Sequence, residues 1–164
     1  MMPIIIITHI LIGVATLIIE MIPLKEESFF VVHTTLAVIF ACIYIFIGMK
    51  KYKVNSVGIS AVLLSTSVIV PVLGELNILP SVCRAVSGGS IMFGYAVVNG
   101  LGWENIEKFP VNIMGVIAMF LGASMFTCIG INIGRRRHKE EYRAYLEIKK
   151  QKKTEKEAEN GGAS

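Results

Sequence analysis

Four long runs of apolar residues dominate the chain, and each is bounded by charged residues or proline. They cover residues 4–22, 29–48, 56–74 and 111–134. A bilayer core about 30 Å thick is crossed by roughly 20 apolar residues of helix, so each run is long enough to cross it. Because backbone polar groups find no water in lipid, such runs predict helices. The sequence therefore predicts an all-α membrane bundle with four transmembrane helices.

A fifth apolar segment, residues 85–102, carries no charge, but five of its eighteen residues are glycine. Ser90 and Gly94, like Ala96 and Gly100, are small residues four positions apart, a spacing that lets helices approach closely. The segment is either a fifth helix packed inside the bundle or a re-entrant element covered by protein. The residues alone leave both alternatives open.

The charge of the chain is concentrated in its last thirty residues. Residues 135–164 hold ten Lys/Arg and six Glu, whereas residues 1–134 are neutral, so the net charge of +4 belongs to this basic tail. Its content of helix-forming residues predicts a helix continuing the last span, followed by a disordered end. Because the basicity describes the tail and not a binding surface of a folded domain, we expect no nucleic-acid partner.

The positive-inside rule relates these charges to the topology. If residues 85–102 do not cross, the loop with Lys50, Lys51 and Lys53 lies on the same side as the tail. Thirteen Lys/Arg then lie on that side and three on the other. If the segment crosses, that loop lies opposite the tail. Charge favours four spans and the glycine pattern favours five. Both arrangements predict a multi-pass protein of the cell membrane with a cytoplasmic C-terminus.

Three ionisable residues near span ends are candidates for an ion or proton pathway: Glu20, His33 and Glu75. Ionisable groups inside a membrane are costly and are functional candidates for that reason. A hairpin of the first two spans puts Glu20 and His33 at similar depth, with Glu75 near the same face. The structural alternative is that the carboxylates reach the interface and His33 bonds a backbone carbonyl.

His9 lies about fourteen residues before Pro23, roughly 20 Å along the helix from the face that His33 approaches. Two histidines at different depths cannot flank one haem iron, and His9 is expected to face a neighbouring helix instead. The three cysteines are far apart, and no phosphate-loop or metal-binding motif is present in the sequence. We therefore expect no cofactor, no bound metal and no catalytic residues, so the chain is not expected to be an enzyme.

Two sets of residues are candidates for contact with partners. The basic run after the last span predicts an anchor on lipid headgroups or a docking site for a soluble partner, and its residues are Arg135, Arg136, Arg137 and Lys139. Small residues four positions apart on the last span predict contacts with other membrane subunits, and they are Ala118, Gly122, Gly130 and Gly134.

The stretches MMPIIIITHILIGVATLIIEMIP and HTTLAVIFACIYIFIG, followed by a Lys/Glu-rich tail, give the chain a recognisable texture. It resembles small, Ile-rich, uncharacterised multi-pass membrane proteins of methanogenic archaea. Some such proteins are accessory subunits of energy-converting membrane complexes such as hydrogenases, so the resemblance implies a similar role. The leading hypothesis is a non-catalytic subunit or assembly partner of a larger membrane complex. The alternative is a proton, ion or small-solute transporter.

Overall fold

The structure, a computed structural model, describes residues 2–76, 78, 90–101 and 109–161. Within these residues the chain forms six α-helices and no strand, which confirms the all-α fold class. The helices are α1 (Met2–Glu20), α2 (Glu26–Lys50), α3 (Ser56–Glu75), α4 (Ser90–Leu101), α5 (Phe109–Arg137) and α6 (Lys139–Gly161).

Three of these helices are long and apolar enough to cross a membrane. Their apolar stretches are Pro3–Glu20 in α1, Ser28–Lys50 in α2 and Asn112–Arg137 in α5. The third predicted span is helical, but the apolar stretch of α3 for which side chains are described, Ser56–Ile69, is shorter than the roughly 20 residues that a span needs. Three of the four predicted spans are thus helices long and apolar enough to cross a membrane, and the fourth is not shown.

Helix α5 lies at the centre of the bundle, packed against α2, α3 and α4. Where α2 and α5 cross, glycines bring the two backbones together. A Cβ atom added to Gly130 would collide with the carbonyl oxygen of Ile45, and one added to Gly134 would lie 2.5 Å from the carbonyl oxygen of Met49. No side chain fits between backbones this close, so the interface requires glycine at both positions.

The α4–α5 interface uses the same device. A Cβ atom on Gly94 would lie 3.1 Å from the carbonyl oxygen of Gly115, and one on Gly122 would lie 2.5 Å from the ring of Phe93. Gly122, Gly130 and Gly134 were expected to meet other membrane subunits. Within the chain, all three already pack against neighbouring residues of α2 or α4, and contact with another subunit through them stays a prediction. Of the predicted set, Ala118 and Gly122 also line a cavity on the bundle surface.

Side-chain contacts show which helix ends lie together. Ile5 of α1 packs with Ile59 of α3 and Ile131 of α5, while Gly48 of α2 meets α5 at Gly130. The start of α1, the loop from α2 to α3 and the end of α5 therefore share one end of the bundle, called here the basic end. The end of α1 at Glu20 and the start of α2 lie at the other, the Glu20 end.

The described residues of α4 lie along half of the bundle. They start near the middle, where Ser90 bonds Ser67 and Phe93 approaches Tyr44, and they run for about 18 Å to the Glu20 end, where Asn99 bonds Thr34. The helix therefore points the same way as α3. It is the part of residues 85–102 that the structure describes.

Candidate functional site

A polar contact in the middle of the bundle joins α1, α2 and α3. The Nδ1 atom of His9 lies 2.6 Å from the hydroxyl of Tyr44, and its Nε2 atom lies 3.1 Å from Oγ1 of Thr66. Thr66 donates its own proton to backbone carbonyls of α3. Its oxygen therefore accepts from Nε2–H, and Tyr44 donates to Nδ1. His9 is thus a fully buried residue that bonds side chains of two neighbouring helices.

A second polar contact lies beside it. Ser67 and Ser90 are both buried, and their hydroxyls lie 2.8 Å apart, which ties α3 to the first residue of α4. Polar groups are costly in lipid unless they are paired, so this hydrogen bond stabilises the contact between α3 and α4.

At the Glu20 end, Tyr95 of α4 connects two of the predicted pathway residues. Its ring lies edge-on to that of His33, with 5.1 Å between the centroids, and the Glu20 carboxylate is close enough to act on it electrostatically. Glu20 is exposed on the bundle, whereas His33 is buried. The structure therefore brings Glu20 and His33 to the same end. We call these three residues the Glu20 cluster.

Two buried hydrogen-bond acceptors lie at this end of the bundle, one in the Glu20 cluster and one beside it. His33 donates from Nδ1 to the carbonyl oxygen of Phe29 at 2.7 Å, so its Nε2 atom is an acceptor, and Asn99 donates to Thr34 and to the carbonyl of Phe30. His33 Nε2 and Asn99 Oδ1 have no hydrogen-bond partner among the described residues. A buried acceptor without a donor is costly, and a small donor such as water or an ammonium-like cation would relieve that cost.

Glu75, the third pathway candidate, is the last residue of α3, and its side chain lies outside the described residues. Its helix ends at the same end of the bundle as Glu20. Among the described residues, no group of three or more potential ligands that could hold a metal ion is brought together.

His9 bonds Tyr44, which is eleven residues along α2 from His33, or roughly 16 Å. The two histidines therefore lie at different depths, as predicted.

The basic end is organised around Tyr52, which precedes α3. Its hydroxyl donates to a carboxylate oxygen of Glu141 at 2.5 Å, and its ring stacks on that of His138 at 4.8 Å. Lys53 also approaches Glu141, at 3.6 Å. We call these four residues the Tyr52 clamp, because they attach the start of α6 to the loop between α2 and α3.

The predicted basic run divides between this attachment and the surface. Arg135 donates to the carbonyl oxygens of Tyr52 and Val54, and its guanidinium lies over the ring of Tyr142. It thereby satisfies carbonyls that the loop leaves unpaired. The rest of the run is exposed, namely Arg136, Arg137 and Lys139.

The hydrogen bond within the clamp shifts the pKa of both partners. The Tyr52 hydroxyl stabilises the ionised carboxylate, which lowers the pKa of Glu141, with Lys53 and His138 adding electrostatic support. The same bond raises the pKa of Tyr52. Because the native pKa of Glu141 is depressed, its contribution to docking is present above the ordinary glutamate pKa of about 4.3 and is lost as the pH falls through the lowered value.

We therefore expect acid to release α6 from the loop. Spin labels at the exposed positions Val57 and Ile148 should give a narrow distance distribution at neutral pH and a broad one in acid. Glu141→Gln should give the broad distribution at neutral pH already. Glu140→Gln, a substitution of the exposed neighbour, is the control and should behave like the unaltered chain. A narrow distribution that persists in the Glu141→Gln variant would contradict the role of this contact.

Reasoning from sequence overlooked Tyr44, Tyr52, Tyr95 and Asn99. A signal existed for three of them. Tyr95 and Asn99 are four positions apart in one short apolar helix, so they share a face. A tyrosine in the middle of an apolar span, as Tyr44 is, also needs a hydrogen-bond partner. Tyr52 gave no such signal, because its partner is 89 positions away.

Comparison with known proteins adds no identity. No protein-family model matches the chain, and no curated protein or solved structure matches it.

Proposed function

We propose that the chain is a non-catalytic subunit or assembly partner of a larger membrane complex, which it binds through α6. The observation that supports this most is the exposure of that helix. Every described side chain from Leu146 to Glu157 is exposed, while the Tyr52 clamp fixes the first turn of the helix. A helix held at its base and exposed along its length is suited to docking a soluble partner.

The proposal includes the topology. Helix α3 is the fourth membrane span, and the basic end of the bundle faces the cytoplasm. In its support, the start of α1, the Lys50–Lys53 loop and Arg135–Arg137 share one end of the bundle, which is the grouping that the positive-inside rule favours. Helix α4 then does not cross the membrane. Proteolysis of right-side-out and inverted vesicles tests this, because α6 should be cut only in the inverted ones.

Two exposed aliphatic residues on different faces of α6 allow a matched test of docking. Leu146 lies on the face of Tyr142, Tyr145 and Lys149, whereas Ile148 lies off it. We expect Leu146→Ser to release partners that co-purify with the full chain in mild detergent and Ile148→Ser to retain them. Loss of apolar contact at a docking face is the physical reason.

The result is read by quantitative mass spectrometry of the purified material and by the size of the particle. Partners retained equally by both variants would place the docking surface elsewhere. Isolation of the full chain as a lone monomer in mild detergent would contradict the proposal itself.

A proton, ion or small-solute transporter is the second candidate, and the Glu20 cluster favours it. The exposed Glu20 carboxylate, the Tyr95 ring and buried His33 lie together at one end, beside two acceptors that lack donors. A proton or small cation that enters at the Glu20 end would reach Nε2 of His33 after Glu20. Such groups near an entrance to the membrane are suited to accepting a proton or a small cation.

Flux in liposomes tests this candidate. If these residues form the pathway, Glu20→Gln and His33→Ala should each lower proton flux, read with an internal pH-sensitive dye. The expected decrease is about a hundredfold, the lower end of the effect of removing a proton-transfer group from an enzyme. Thr35→Val, which alters an exposed residue bonded only to its own helix, should leave the flux unchanged. Equal flux in all four proteins would exclude the pathway.

A further inference from the structure

Four residues form a polar patch where the last span leaves the apolar part of the bundle. They occupy positions i, i+3, i+4 and i+7 across the join between α5 and α6, so they share one helix face. They line a shallow depression of about 640 Å³ at the basic end. We call them the headgroup patch: Asn132, Arg135, Arg136 and Lys139.

The same face of α5 leads to an apolar cavity of about 430 Å³ between α2, α4 and α5. Met125 and Ala118 line this cavity, and they precede Asn132 by seven and fourteen residues, two and four helical turns, on nearly the same face. The rest of its lining is apolar too, with Ala37 and Ala41 from α2 and Phe93 from α4. A cavity of this size is within the range of small-molecule sites, about 300–1,000 Å³.

We propose that this face binds one anionic membrane lipid, with its phosphate on the headgroup patch and a hydrocarbon chain running along α5 into the cavity. Three cations and an amide complement a phosphate, and an exposed apolar strip with Ile129 connects the two parts. The lengths also agree. One leaflet of hydrocarbon is about 15 Å thick, which corresponds to ten residues of helix, so a chain that starts beside Asn132 ends between Met125 and Gly122.

The net charge at the patch explains the preference for an anionic lipid. Arg136 and Lys139 are exposed, and Arg135 keeps its full charge although it donates to two backbone carbonyls, since carbonyls are neutral partners. Each cation near an anionic headgroup strengthens binding by about fivefold. Zwitterionic lipid of the same chain length gains the cavity contact but not this attraction.

The experiment compares ligands on the delipidated full chain in detergent. We expect palmitoyl-oleoyl phosphatidylglycerol to raise the melting temperature more than phosphatidylcholine with the same chains, and inorganic phosphate or dihexanoyl phosphatidylglycerol to raise it little. Arg136→Gln with Lys139→Gln should remove the preference for the anionic lipid, with a loss of roughly five- to thirtyfold in apparent affinity. Lys150→Gln with Lys152→Gln removes the same charge further along α6 and should keep the preference.

The cavity is tested separately with Ala118→Phe, which fills it. This variant should reduce the effect of both long-chain lipids, and its melting temperature without lipid shows whether it is folded. Equal stabilisation by phosphatidylglycerol and phosphatidylcholine would overturn the proposal, as would a full effect of phosphate alone. Unchanged preference in the Arg136→Gln/Lys139→Gln variant, which alters only exposed residues, would overturn it even if Ala118→Phe does not fold.

Discussion

Gly130→Ala is expected to destabilise the folded bundle by roughly 1–3 kcal/mol, or more if the helices cannot separate smoothly. The added methyl group would collide with the carbonyl oxygen of Ile45, and this neighbour is backbone that cannot rotate away. Helices α2 and α5 must therefore move apart, which also opens the contact at Gly48, whose own Cβ position lies 3.0 Å from the Cα atom of Gly130. Thermal unfolding in detergent, followed by circular dichroism, measures the effect.

Gly100→Ala is the matched control for this prediction. It adds the same methyl group within helix α4, where nothing lies within 4 Å of the new atom. Alanine has a better helix propensity than glycine by about 1 kcal/mol, so this variant should be neutral or slightly more stable. If both substitutions lower the melting temperature equally, the α2–α5 contact is not as tight as described.

The double variant Gly48→Ala/Gly130→Ala should lose less stability than the sum of the losses in the two single variants, because one separation of the helices relieves both collisions.

Tyr44→Phe is expected to have the second-largest effect, because it removes the donor to His9 in the middle of the bundle. Hydrogen bonds between membrane helices are worth about 0.6 kcal/mol on average and at most about 1.7. The loss here should be near the upper value, because the bond is short and both residues are fully buried. The measurement is the same unfolding transition in detergent, with Tyr145→Phe in the tail as a control that should change little.

A double-mutant cycle distinguishes the hydrogen bond from simple packing. Combining Tyr44→Phe with His9→Leu removes both polar groups, and this should cost less than the two single changes added together. Thr66 remains satisfied in the double variant, because it donates to the carbonyls of Val62 and Leu63 in its own helix. Strict additivity of the two changes would show that His9 and Tyr44 do not act as a pair.

The helices of this protein are predictable because their cause is local. Continuous apolar runs leave helix as the only structure that satisfies the backbone in lipid. Residues 85–102 differ from these runs by their five glycines, so whether they cross the membrane stayed open. The packing of α4 was not predictable. It includes the bond of Ser90 to Ser67 and the glycine contacts with α5, which involve residues distant in sequence.

The candidate sites were predictable in part. Glu20 and His33 were expected at the same end from the hairpin alone, and the structure brings both to Tyr95. Small residues on the last span predicted contacts with other subunits, and the structure packs Gly130 and Gly134 against α2 of the same chain. Their spacing alone cannot say to which chain a partner helix belongs. Likewise the sequence could not separate Arg135, which bonds the loop, from its exposed neighbours, because that difference depends on where Tyr52 and Val54 lie.

While the Tyr52 clamp holds the start of α6, the hydrogen bonds that cross His138 let α5 and α6 act as one rod. The amide of His138 donates to Gly134, and the amide of Tyr142 donates to His138, so the helical bonding pattern continues through the turn. The outer arm of this rod is 23 residues, or about 34 Å. A change of 10° in the tilt of α5 would displace the far end of α6 by roughly 6 Å. A bilayer that thins or thickens changes the tilt of its helices, so the position of the tail would report the thickness of the membrane to whatever binds it.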